Sequence, residues 1–126
     1  VTYKAVFDRL FGETGAEDRV YSLVLPQNPA YPAISFQQIS ATRTHAMGSD
    51  GPLVRVRVQV NSWGRTYADA RTLAGEVLTR LNRFKGESGG IQVLDVLLDN
   101  ELDTYEMDAD VRRVVQDYTI FVEESA

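Results

Sequence analysis

The run Leu-Val-Arg-Val-Arg-Val-Gln-Val-Asn-Ser at residues 53–62 constrains this chain most. Val54, Val56, Val58 and Val60 fall on one side of an extended backbone, and Arg55, Arg57, Gln59 and Asn61 on the other. A period of two with β-branched residues on one side describes a strand with a dry face and a wet face. Such a strand belongs to an antiparallel sheet that is covered on one side only. The cover follows directly. Along residues 67–83, Ala70, Leu73, Ala74, Val77, Leu78 and Leu81 form one apolar stripe at helical spacing. Thr66 precedes it as an N-cap, with Asp69 where a capping box places Glu or Gln.

The remaining elements are read from the same periodicities. Residues 1–11 place Tyr3, Val6, Phe7, Leu10 and Phe11 on one helical face, ended by Gly12 and Gly15. They lack the charged-then-apolar pattern of a secretory signal. Residues 19–25 form a strand stopped by Pro26, and three prolines within 26–32 demand an extended connector. Residues 33–39 form a strand with Ile34 and Phe36 on one face. Residues 41–52, rich in Gly, Ser and Asp, read as a long exposed loop, and 86–90 as a helix terminator. Residues 91–99 and 112–123 read as strands, the second with Val114, Tyr118, Ile120 and Val122 on one face. The expected fold is α+β: a mostly antiparallel sheet packed on one face by helices, in the order α-β-β-β-α-β-β. The 126 residues are one domain's worth.

Composition excludes much chemistry. There is no cysteine, hence no disulfide framework, thiolate metal site or cysteine nucleophile. The single histidine, His45, cannot build a multi-histidine site alone, and in a polar loop it lacks the positioned partner a catalytic base needs. No nucleotide-binding, zinc-protease or nucleophile-elbow motif occurs. Asp99, Glu101, Asp103 and Asp110 faintly follow a calcium loop, but Thr104 stands where the loop needs glycine and Asp110 where it needs glutamate. No catalytic residue, metal or cofactor is expected. The competing class, a small hydrolase or calcium-dependent enzyme built on the acidic segment, predicts sensitivity to chelators. A monomeric binding module is a further alternative.

Charge is polarised along the chain. Thirteen basic and eighteen acidic residues leave a net charge of −5, against the basic balance of a general nucleic-acid binder. Residues 43–94 hold eight bases and four acids, whereas 95–126 hold two and ten. Seven of those ten lie within 95–110, which reads as a solvated acidic loop or as a surface that meets a basic one. Arg55 and Arg57 are either solvated or covered by a neighbour's acids, with Asp99, Glu101 and Asp103 as candidate partners. Trp63, beside Gly64 and Arg65, is either a lid on the core or an interface anchor, because Trp and Arg are enriched at interfaces. In the 41–52 loop, Arg43, His45 and Met47 are the expected contact residues.

Several stretches together resemble the phage tail completion, or tail terminator, family. They are Arg19-Val-Tyr-Ser-Leu-Val-Leu-Pro-Gln, Tyr31-Pro-Ala-Ile-Ser-Phe-Gln-Gln-Ile-Ser, and Arg57-Val-Gln-Val-Asn-Ser-Trp-Gly-Arg-Thr-Tyr-Ala-Asp-Ala-Arg-Thr-Leu-Ala. Asp103-Thr-Tyr-Glu and the final alternating strand are similar too. The resemblance implies a small α+β subunit of a homo-hexameric ring at the neck of a long non-contractile tail, also found in prophages and gene transfer particles. It implies three partners: the chain itself, the tail-tube protein and the head–tail connector. DNA would pass through the ring without specific binding. A stopper or adaptor ring of the same neck is the nearest alternative. Complementary charge between 43–94 and 95–126 would suit the unlike patches that meet in such a ring.

Overall fold

The computed structural model describes residues 6, 8–10, 19–22, 30–44, 53–88, 90–107 and 110–123. Six strands form one curled, mixed sheet: β1 (Val20–Ser22), β2 (Ala33–Thr44), β3 (Leu53–Gly64), β4 (Gly86–Ser88), β5 (Ile91–Glu106) and β6 (Val111–Glu123). Their spatial order is β1-β2-β3-β6-β5-β4. Helix α1 (Tyr67–Leu81) joins β3 to β4, and Val6 and residues 8–10 are helical as well.

The valine strand faces as its alternation requires. Val54, Val56, Val58 and Val60 are buried, and Arg55 and Arg57 are exposed, but Asn61, expected on the wet face, is buried and donates to Ser35 Oγ at 3.3 Å. The buried valines share a core with Leu73, Val77 and Leu81 of α1, with Tyr118, Ile120 and Val122 of β6, and with Val6 and Leu10. Each such side chain removed from water stabilises the fold by roughly 1.5–3 kcal/mol. Near the start of α1 the contact is made by Ala70, Ala74 and Val114, small enough to bring helix and sheet close. The Thr66 hydroxyl accepts the Asp69 N–H at 3.1 Å, which caps the helix as expected.

Four further sequence expectations are corrected. First, the protein is predominantly sheet, with two short helices, rather than an antiparallel sheet packed by helices. The sheet is also mixed, because β1 runs parallel to β2. Second, the 41–52 loop is not all loop. Residues 41–44 continue β2, because the first residues of β3 need a pairing partner: Thr44 lies opposite Leu53 and Thr42 opposite Arg55. Residues 45–52, including His45 and Met47, lie outside the described residues. Third, 86–90 does not merely end the helix. Gly86, Glu87 and Ser88 pair with Val93, Gln92 and Ile91.

The fourth correction bears on the site. The acidic segment is not a solvated loop; β5 runs through it to Glu106. The cause is the partner strand. β6 offers an unbroken backbone ladder, and residues 100–106 pair with it from Asp117 to Val111. Backbone hydrogen bonds do not depend on side-chain polarity, so an acidic strand forms where its charges find cations. Bulges at Val93/Asp95 and Leu98/Asn100 bend β5 and contribute to the curl of the sheet.

Candidate assembly interface

The acidic strand meets its cations within the chain. On the helix side, Arg71 of α1 reaches Glu101 Oε1 at 3.3 Å and Asp103 Oδ1 at 3.2 Å. The Tyr67 hydroxyl donates to Asp103 Oδ2 at 2.9 Å, and this bond to a carboxylate raises the tyrosine pKa above its ordinary value. Glu101 also accepts Gln116 Nε2 at 3.0 Å. Arg83 reaches Asp95 at 3.2 Å, and Arg113 reaches Glu106 at 3.2 Å. Part of the complementarity expected between subunits is therefore satisfied inside one subunit. Exposed pairs of this kind add little stability, typically under about 1 kcal/mol each. Their effect is to hold an acidic strand against the sheet.

One end of the sheet gathers arginines and aromatic rings. Trp63, half-buried, donates its indole N–H to Ser35 Oγ at 3.0 Å, and the Arg113 guanidinium lies 5.1 Å from its ring centroid. Arg65, exposed, lies 4.9 Å from the Tyr31 ring, and its carbonyl accepts Arg112 Nη1 at 2.8 Å. Arg112 in turn lies 4.8 Å from the Tyr105 ring, and the Tyr105 hydroxyl donates to Asp110 Oδ1 at 2.8 Å, which raises its pKa. Tyr67, Tyr105 and Met107 are exposed beside them. Arginine, tyrosine, tryptophan and methionine are the residues enriched in the buried centres of protein interfaces.

The sequence candidates thus fall into separate places. Trp63 and Arg65 come together at the arginine–aromatic end. Glu101 and Asp103 come together under α1. Arg55 and Arg57 lie on the opposite face of the sheet, across from Phe121 and Thr119 of β6, and make no ion pair among the described residues. Asp99 accepts a hydrogen bond from the Thr119 hydroxyl on that second face. Arg43 is exposed on β2 opposite Val54. Sequence reasoning missed Arg71, Arg112, Arg113, Tyr67 and Tyr105. Arg71 stands on the polar side of a legible helix, but its acids lie 30 and 32 residues away, beyond any spacing rule. Among the described residues no group of three or more His, Asp or Glu is placed to hold a metal ion. No described helix is long and apolar enough to cross a membrane.

No curated protein matches the chain. Among solved structures, a chain from the virion of a native gene transfer agent (GTA) particle shares the fold. Its TM-score is 0.62 at 16% identity, covering 84% of this chain and 79% of that one. A family model described as tail completion protein gp17 matches residues 4–123. That span takes in every strand and the helix, and the chain belongs to the tail completion protein gp17 family, as a structural protein of a phage-type tail.

Proposed function

We propose that this protein is the tail terminator: a ring of identical subunits that caps the head-proximal end of the tail tube, stops its polymerisation and joins it to the head connector. The observation that carries the reading is the family match along 4–123. The arginine–aromatic end supports it, since this surface suits docking to another protein rather than holding a small substrate. The fold shared with a chain of a gene transfer agent virion supports a place in a phage or phage-like particle of that kind. The partners in this reading are further copies of the chain, in a hexamer, together with the tail-tube protein and the connector. DNA passes through the ring, and a net charge of −5 per subunit disfavours its retention.

Polymerising purified tail-tube protein with and without the chain tests the reading, with tube lengths measured by electron microscopy and the chain's mass by light scattering. The expected result is a ring-sized particle, shortened tubes and the chain at one tube end. Unaltered tube growth, with capture of the chain by the connector instead, would make it a stopper or adaptor ring. A chain that stays monomeric beside both partners would overturn either ring.

A further inference from the structure

We propose that the sheet continues from one copy of the chain into the next, the 37–44 edge of β2 in one copy pairing antiparallel with the 99–106 edge of β5 in its neighbour. The proposal rests on the ring reading above and assigns its subunit contact. Among the described residues β1 covers β2 at Ile34, Ser35 and Phe36, and β4 covers β5 at Ile91, Gln92 and Val93. Among the described residues no strand lies outside 37–44 of β2 or 99–106 of β5, whereas Asn82 and Arg83 bond to the β5 margin at Leu98 and Val96. Long uncovered edges present unpaired N–H and C=O groups and are templates for another strand.

Hydrogen bonds at the two margins fix which residues point outward. The Val96 carbonyl accepts Arg83 N–H at 2.6 Å, and Leu98 N–H donates to Asn82 Oδ1 at 3.3 Å. Both residues therefore turn away from β6, where they lie opposite Ile120 and Tyr118. Past the bulge the outward positions are those opposite Gln116, Val114 and Arg112: Glu101, Asp103 and Tyr105. At the other margin Ile34 N–H bonds to the Arg19 carbonyl at 2.9 Å, opposite Ser62. The same alternation makes Gln38, Ala41 and Arg43, opposite Val58, Val56 and Val54, the outward residues of β2.

The two edges fit each other. Three antiparallel steps separate β2 from β5, so they run in opposite directions. Two copies in the same orientation bring them together antiparallel, with both helices on the same side. The 99–106 edge carries four acids and no base, and Arg71 is shared by two of them; the 37–44 edge carries Arg43 and no acid. Setting Arg43 opposite Glu101 places Ala41 opposite Asp103. Gln38 then falls opposite Tyr105, because the β2 bulge between Gln38 and Ser40 absorbs the extra residue. Ile39, Leu102 and Tyr105, all exposed, come under cover.

That register also closes a ring. Ala41 is level with Val56, Ile120 and Val96, whereas Asp103 is level with Val114, six residues along β6 from Ile120. Each copy is then displaced about 20 Å along the strands for about 19 Å across the four strands β2, β3, β6 and β5. The resulting strand tilt is about 45°, close to that of closed β-barrels.

Ala41→Pro and Asp103→Pro each remove an outward N–H that the chain's own ladder does not use. By light scattering each variant alone should be monomeric, with a circular-dichroism spectrum like that of the unmodified chain. An equimolar mixture should stop at dimers, since one variant keeps an intact β5 edge and the other an intact β2 edge. Either variant alone forming full-size rings, or a mixture that stays monomeric, overturns the pairing. Should a proline variant fail to fold, the Arg43→Cys/Glu101→Cys double variant replaces it. Paired Cα atoms about 5.5 Å apart suit a disulfide, and the chain has no other cysteine. Oxidation of the assembled ring should give a covalent ladder up to the closed ring, and no ladder overturns the pairing. Rings that survive both edge substitutions leave the terminator reading intact. An unmodified chain that stays monomeric beside tail-tube protein and connector overturns both.

Discussion

Tyr118 is fully buried beneath α1, and its hydroxyl donates to Gln116 Oε1 at 3.2 Å. Gln116, also fully buried, donates to the Ala74 carbonyl at 3.3 Å and to Glu101, so a polar chain links helix, core and acidic strand. Burial first, and the Glu101 charge second, raise the Tyr118 pKa well above the ordinary tyrosine value of 10.0. The native state therefore holds a proton that the unfolded chain releases above that value. Stability from this group is complete below about pH 10 and declines as pH rises further. Urea unfolding between about pH 9 and pH 11 should show the decline, and Tyr118→Phe should flatten it. Some slope should remain, because Tyr67 and Tyr105 are raised too by their bonds to Asp103 and Asp110. An equally steep fall in Tyr118→Phe would place the sensitivity elsewhere. The two faces of β3 give a second comparison at this scale. Val58→Ala should cost about 2–3 kcal/mol in the isolated subunit and Arg57→Ala under about 1 kcal/mol. Equal melting temperatures for the two would contradict the burial of one and the exposure of the other.

Two glycines show how the elements are joined. Gly64 ends β3 just before α1, and a Cβ there would lie 2.7 Å from the Ala70 backbone nitrogen and 3.0 Å from the Asp69 Cβ. Backbone in the first turn of a capped helix cannot yield cheaply, so Gly64→Ala should destabilise by about 1–3 kcal/mol. Gly75 lies on the exposed side of α1, and a Cβ added there would have nothing within 4 Å. Gly75→Ala should therefore stabilise by about 0.5–1 kcal/mol through helix propensity alone. Thermal unfolding of the two variants should shift in opposite directions. The same junction explains what could be read in advance. β3 and α1 carry complete periodic patterns because each buries one face, and Thr66 marks the start of the helix by its own chemistry. β5 past Leu98 buries almost nothing, so no hydrophobic period announces it; its pairing comes from β6, and its acids are balanced by Arg71 and Arg113 from elsewhere in the chain. The candidate site was legible only as residue types, with Trp63 beside Arg65 and acids beside one another. Its division into two faces, one end and two edges depends on strand order, which no local pattern contains.

For the whole molecule, the distribution of ion pairs decides how assembly should respond to salt. The sequence alone suggests strong dependence, since a basic segment and an acidic one lie in every copy. The fold satisfies much of that complementarity internally: Arg71 on Glu101 and Asp103, Arg83 on Asp95, and Arg113 on Glu106. Identical copies with a net charge of −5 also repel one another at long range. That repulsion is largely screened at about 0.1 M salt, where the Debye length is about 10 Å. A close pair such as Arg43 with Glu101 across the proposed edge contact persists longer, and being exposed it contributes only about 0.2–1 kcal/mol. Raising salt from about 0.1 M to about 1 M should therefore weaken each subunit contact by less than about tenfold. Backbone pairing and covered apolar residues would carry the rest. Light scattering along a salt titration gives the midpoint of assembly directly. A loss of several hundredfold would mean that ion pairs, with Arg55 and Arg57 the first to examine, hold the subunits together in place of a shared sheet.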